Sequence, residues 1–286
     1  MKKHFLITVG DDPQYLYGAK FMASFFMNKK DITLDLLYLA SRFDCICGCD
    51  NPRLKEINDN LAEIYRKKGE QALIESRKIL LDHGFSNRQI STKVFNLMHD
   101  VVHDTVEYAR LGDYDALLLC RRGYVVFEKA FRRTLSEAIM DLQINFPVWI
   151  VRRMLPDRSN VLLCVDGSEA SLHAADHVAL MLEQQEEHKV ILFHMRRQES
   201  GDPKALLELV RQKLIPRIEK RRIKELIAEG GRVSEVIIRE AAQGGFAAVA
   251  IGRRGQSVGS PVEKYMGSTC VNLLHNLEGA ALWVKW

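Results

Sequence analysis

Holding a phosphate requires a backbone that can come close, outward-pointing N–H groups and a hydroxyl or two. The chain gathers these in its last third. It reads Gly252-Arg253-Arg254-Gly255, passes Gly259, Ser260 and Pro261, and reaches Gly267-Ser268-Thr269, which leads into a helical pattern. Glycines permit close approach, the N–H groups at a helix start are donors without intrahelical partners, and Ser268 or Thr269 adds a hydroxyl. Upstream, Val165-Asp-Gly-Ser-Glu-Ala-Ser171 sets a carboxylate, Asp166, in a turn. Taken alone, Asp166, Asp11 and Asp12 are ordinary turn and helix-start residues. No nucleophile, base and orienting acid assemble from sequence neighbours, so a committed enzyme is not expected.

Other residue types suggest other chemistry. Cys45, Cys47 and Cys49 alternate, and three thiolates on one side of an extended segment are able to take zinc, copper(I) or part of a cluster. The usual structural spacing, with two or more residues between paired cysteines, is absent, so the preferred reading is an exposed loop with incidental thiols. His99 with His103, and His173 with His177, are each four apart, as ligands on one helix face are, but neither pair carries the Glu of a zinc hydrolase motif. Both pairs read as surface or packing residues. Cys164 reads as a small core hydrophobe, and so does Cys270, although a helix-start position would lower a thiol pKa.

The elements that must position these residues follow from an internal repeat. Phe5-Leu-Ile-Thr-Val9 matches Val161-Leu-Leu-Cys-Val165, and Tyr114-Asp-Ala-Leu-Leu-Leu-Cys-Arg-Arg-Gly123 matches Phe246-Ala-Ala-Val-Ala-Ile-Gly-Arg-Arg-Gly255. Trp149 and Trp283 hold equivalent places near the ends of the two last strands. Each copy reads as strand, helix, strand, long helix, strand, short helix, strand, helix, strand. Continuous apolar strands such as 116–119 and 247–251 imply burial on both faces, hence a parallel sheet between helices. The expected fold is therefore α/β, two tandem doubly wound five-stranded parallel-sheet domains at 1–153 and 159–286, joined by a linker at 152–159. In the second copy, strands are expected near 160–165, 188–195, 232–238, 246–251 and 280–285. The offset between copies falls from 156 to 132, so the first carries about 24 extra residues around 41–52 and the long helix after it.

At 286 residues, 47% apolar and 27% charged, the chain has the make-up of a globular protein with two cores. The apolar stretch after Met1-Lys2-Lys3 is too short for a signal peptide or a membrane span, which places the protein in the cytoplasm with reduced cysteines. A net charge of +4 with well-mixed signs gives no argument for nucleic acid. The densest basic stretch, 217–224, is expected on the solvated face of a long helix.

The loop, the first-turn motif and Phe193-His194 at the end of the second strand together resemble the universal stress protein (UspA-like) family, whose fold is that of the adenine nucleotide alpha hydrolases. Its nucleotide-binding members carry Gly-x2-Gly-x9-Gly-Ser/Thr after the fourth strand. The resemblance covers nearly the whole chain twice. It implies ATP or a related adenine nucleotide, with magnesium, held by Asp166 near the nucleoside and metal, by Gly252, Arg253 and Gly255 at the phosphates, and by Gly267, Ser268 and Thr269 closing the loop. In this chain eleven residues, not nine, separate Gly255 from Gly267. In the first copy Cys120 replaces the first glycine, Arg133-Thr134 replaces Gly-Ser, Phe127 and Phe131 crowd the loop, and Gly10-Asp11-Asp12 replaces Asp166-Gly167-Ser168. No nucleotide is expected there.

The leading expectation is a stress-response or regulatory module that binds an adenine nucleotide in its second domain, hydrolyses ATP slowly at most, and uses occupancy to bias a protein partner. The rivals are a nucleotide-free interaction scaffold, which the lengthened loop favours, and a thiol or metal sensor at Cys45, Cys47 and Cys49. An exposed last strand invites pairing. Residues 148–151 and 281–284 are able to pair within one chain, making either a monomer that imitates a dimer or a dimer of such units.

Overall fold

A computed structural model describes residues 2–40, 52–120, 135–140, 142, 144–153, 155, 157–196, 202–255 and 266–286. Cys45, Cys47 and Cys49 lie outside the described residues, as do the first copy's loop with Phe127, Phe131, Arg133 and Thr134, and residues 256–265. The chain forms two compact units, Met1–Ser24 with Lys29–Ile139 and Phe25–Asn28 with Met140–Trp286.

The first unit runs β1 (Lys3–Thr8), α1 (Tyr17–Phe25), β2 (Ile32–Ala40), α2 (Pro52–Asp82), β3 (Ile90–Asn96), α3 (Val101–Leu111), β4 (Ala116–Cys120) and α4 (Leu135–Met140), except that the last residues of α1 and α4, Phe25 and Met140, belong to the second unit. Its strands lie in the order β3-β2-β1-β4, all parallel. Phe5, Leu6, Leu34, Leu117 and Leu118 are wholly buried, which is why these strands read as unbroken apolar runs. The 31-residue α2 packs on the end of β2. There the Tyr38 hydroxyl donates to Tyr65 O at 2.9 Å, and a β-carbon on Gly69 would fall 2.2 Å from the Tyr38 ring, so only glycine lets the ring lie against the helix.

The second unit runs β5 (Val148–Val151), β6 (Val161–Cys164), α5 (Glu169–Leu182), β7 (Val190–Arg196), α6 (Pro203–Leu214), β8 (Ile223–Glu229), α7 (Val233–Gln243), β9 (Ala248–Gly252), α8 (Ser268–Asn276) and β10 (Ala281–Lys285). The strand order is β5-β10-β9-β6-β7-β8. Five strands are parallel, and β5 joins antiparallel to β10 with Trp149 opposite Trp283. The α/β class with mainly parallel strands is thus the observed one.

Two expectations are corrected. The third strand of the second copy is not at 232–238 but at Ile223–Glu229; residues 233–243 form α7. Gly230 and Gly231, both at positive φ, turn the chain between them. Val233 and Ile237 then recur at helical spacing, while the edge strand β8 sets Lys224 next to Glu225 and runs Leu226 to Ala228 together, so that it shows no two-residue period. The basic stretch 217–224 is not on a helix either. α6 ends at Leu214, Pro216 blocks its continuation, and the stretch crosses a short 3-10 turn into β8. Arg222 in it is buried and donates to the carbonyls of His188, Leu182 and Gln185, closing the carboxyl end of α5.

The core beside β10 is aromatic. Trp149 and Trp283 stack with centroids 4.0 Å apart, Phe25 meets Trp283 edge-on, and the Trp149 indole N–H donates to His177 Nε2 at 2.9 Å. Gln185 clasps residues 27–28, accepting from Met27 and Asn28 N–H and donating to Asn28 O. Burial, then the nearby Lys285 ammonium, pushes the His177 pKa down to about 3. Burial also lowers His188, whose ring faces Arg222 and Glu187 and hydrogen-bonds Phe25 O. Both imidazoles are therefore neutral in the fold but take up a proton near pH 6.5 once unfolded. Their stabilisation is complete above that pH and is lost as pH falls toward the folded values. For His177 alone, unfolding free energy should drop by about 2 kcal/mol between about pH 7 and about pH 5. Urea unfolding followed by tryptophan emission measures this, and a midpoint that does not move would show that His177 carries its proton inside the fold.

Candidate functional site

The carboxyl ends of β6, β7 and β9 open onto one cavity of about 260 Å³. This is where strand order reverses, between β6 and β9, and where open α/β sheets place ligands. Its lining brings together residues from segments far apart in sequence. Asp166 and Ser168 come from the turn after β6, the Gly252–Gly255 turn from the end of β9, and Gly267, Ser268, Thr269 and Cys270 from the start of α8. All seven residues singled out from sequence, Asp166, Gly252, Arg253, Gly255, Gly267, Ser268 and Thr269, border it.

Their local roles differ. Asp166 Oδ1 accepts from the Ser168 N–H at 3.0 Å and from the Ser168 hydroxyl at 2.6 Å. Ser168 in turn caps α5, accepting from Ser171 N–H. Gly255 lies beside this carboxylate: a β-carbon there would fall 2.6 Å from Asp166 Oδ2. Gly252 is a packing glycine as well as a lining residue, because its β-carbon would fall 2.6 Å from Ala170 C and 2.7 Å from Ser171 N, the backbone of the first turn of α5. Gly267 is the N-cap of α8 and carries no side-chain cap, so the donors of the first turn face the cavity without a competing side chain. Its own N–H donates to Arg253 O at 3.0 Å, joining the two halves of the loop.

The side chain of Arg253, expected at the phosphates, turns elsewhere. Arg253 is 4% exposed, and its guanidinium donates to Met140 O at 2.6 Å and lies over the Trp286 ring at 4.7 Å. Arg254 is exposed, and its carbonyl accepts from the Ser168 hydroxyl at 3.2 Å.

The opposite wall is apolar: Val165, Phe193, Met195, Val233, Ile237 and Ile251. Sequence reasoning misses Val233 and Ile237, because the β-branched run at 232–238 points to a strand; their spacing of four is the signal that could have found them. His194, at the end of β7, sits at this wall with Nδ1 2.9 Å from Val165 O, so that nitrogen carries the proton. Cys164 and Cys270 also border the cavity. Burial raises both thiols, Cys164 further through the Asp166 charge and Cys270 to about 12 despite Arg253. The lowering expected at Cys270 from its helix position is therefore corrected, since burial outweighs it. Both stay protonated and chemically quiet.

In the first unit the matching positions are filled. Val9 N–H bonds Leu37 O as Val165 N–H bonds Phe193 O, which makes Tyr38 the counterpart of His194, and Tyr38 is docked on α2. Cys120, last in β4 as Gly252 is in β9, accepts from Gly18 N–H through Sγ at 3.2 Å. Among the described residues no group of three or more His, Cys, Asp or Glu is placed to hold a metal, and no helix is long and apolar enough to cross a membrane.

A parallel α/β unit with a glycine turn and an open helix start at its switch point places the second unit in the class of doubly wound α/β domains. Residues 158–285 match the family model described as the universal stress protein family, so this part of the chain carries a domain of that family. A universal stress protein from Archaeoglobus fulgidus DSM 4304 is similar in structure, with a TM-score of 0.65 at 16% identity over 99% of this chain and 95% of the other. A Pseudomonas aeruginosa UCBPP-PA14 protein provisionally assigned to the same family gives 0.55 at 15% identity, covering 99% and 93%. At these identities the likeness is one of fold, and it spans both units. No curated protein matches the chain significantly.

Proposed function

We propose that the second unit binds ATP or a related adenine nucleotide, as its magnesium salt, and that the protein is a cytoplasmic regulatory module whose occupancy biases a protein partner. The convergence of three distant segments on one cavity, polar at the Gly252–Gly255 turn and α8 start and apolar at the β7 and α7 side, carries this reading. The polar end suits phosphates through backbone N–H groups and the Ser268 and Thr269 hydroxyls. The apolar wall suits a flat base. Asp166, which also lines the cavity, is chemically suited to accept from a sugar hydroxyl or to meet a magnesium ion carried by the phosphates. Gly252, Gly255 and Gly267 keep the cradle open, and Arg253 contributes through its backbone.

A second reading, a nucleotide-free interaction module, draws support from Gly252, whose presence packing alone explains. Calorimetric titration of nucleotide-stripped protein with ATP and magnesium separates the two. One site per chain is expected. Absence of heat in folded protein would leave the interaction module as the surviving reading.

A further inference from the structure

The residue that ties the cradle to the rest of the second unit is Arg253. Its carbonyl accepts from Gly267 N–H at 3.0 Å, so it anchors the start of α8, and its own N–H donates to Lys285 O at 2.9 Å, so it anchors the end of β10. Its guanidinium donates to Met140 O at 2.6 Å and lies 4.7 Å from the Trp286 ring centre. One residue thus holds both lips of the proposed phosphate cradle and the two segments behind it.

A guanidinium this deeply buried is costly to desolvate, a cost offset by hydrogen bonds from its planar donors and by contacts on its flat faces. Here one face lies on an indole and an edge meets a carbonyl. Because the Arg253 carbonyl and N–H are both bonded, a ligand that spreads or tightens the gap between Gly255 and Gly267 acts on the backbone that carries this side chain.

We infer that Arg253 is a positioning residue, holding the cradle in its binding shape and relaying occupancy to Met140 and Trp286. The inference rests on the nucleotide reading above, and it gives a role to an arginine that does not meet the ligand through its charge. Trp286 is suited to report the change, since it is half-buried whereas Trp149 and Trp283 are sealed in the core.

The test pairs calorimetry with tryptophan emission on the full chain, titrated with ATP and magnesium. Emission from the wild type should shift on binding. Trp286→Phe should lose the shift and keep its affinity within about twofold, since a phenyl ring still covers the guanidinium. Arg253→Met should bind about tenfold more weakly and, at saturation, leave Trp286 silent. Arg253→Lys, which keeps the charge and a donor for Met140 O, should recover part of both effects and serves as the informative variant if Arg253→Met fails to fold. Heat of binding without any Trp286 response in the wild type overturns the inference and leaves nucleotide binding standing, and so does full affinity and response in Arg253→Met. Folded wild type that gives no heat removes the nucleotide reading, and this inference with it.

Discussion

Gly252→Val is expected to destabilise the second unit by about 3 kcal/mol, the cost of forcing extra atoms into a site that cannot yield. The added β-carbon would meet the backbone of Ala170 and Ser171 at 2.6 and 2.7 Å, and that backbone is fixed, because Ser168 caps the same turn through Ser171 N–H. A flexible side chain would step aside; a capped helix start does not. The first unit shows how the same contact is solved in reverse. There the strand-end residue is Cys120 and the second residue of α1 is Gly18, whose β-carbon would lie 3.0 Å from Cys120 Sγ. The glycine has changed sides. Gly252→Cys combined with Ala170→Gly, which removes the Ala170 β-carbon 2.8 Å from the added one and frees the turn to shift, should be more stable than Gly252→Cys alone. Chemical unfolding midpoints measure both claims, and a single variant as stable as the wild type would show that the helix start can retreat.

Gly255→Val should act in the opposite way, leaving stability within about 1 kcal/mol and lowering nucleotide affinity about 100-fold. Gly255 is exposed, so no core contact is at stake. Its β-carbon would fall 2.6 Å from Asp166 Oδ2, driving the carboxylate from its place beside Ser168, and the two methyl groups would block the backbone at which the proposed phosphates would be held. Calorimetry against ATP with magnesium is the measurement. Unchanged affinity would take the loop out of the site. Two glycines three residues apart are thus expected to fail differently, one in the denaturation curve and one in the titration.

Much of the candidate site is legible in the chain itself. Gly252, Gly255 and Gly267 stand in a pattern that has few uses, and the strand ahead of them, 247–251, is apolar without a break, so its place in the middle of a parallel sheet follows. The apolar wall is less legible. Val233 and Ile237 lie in a stretch rich in β-branched residues, and strand propensity hides a helix that the preceding glycine pair starts. Edge-strand exposure points to the pairing of residues 148–151 with 281–284, and the structure forms it antiparallel, with Trp149 stacked on Trp283.

By itself the sequence determined the α/β class with mainly parallel strands and the chemical character of the loop, because apolar runs and glycine spacing are local properties that survive without knowledge of what lies across the sheet. Only the tertiary structure decided which way side chains turn. Arg253 and Arg254 are adjacent and look alike in the sequence, yet one is sealed against Met140 and Trp286 and the other reaches solvent. Tyr38 and His194 occupy matching strand ends, and only the helix packed beside Tyr38 fills the first unit's position. The reason is physical: burial, hydrogen-bond partners and steric room at these positions are set by segments more than twenty residues away in the chain.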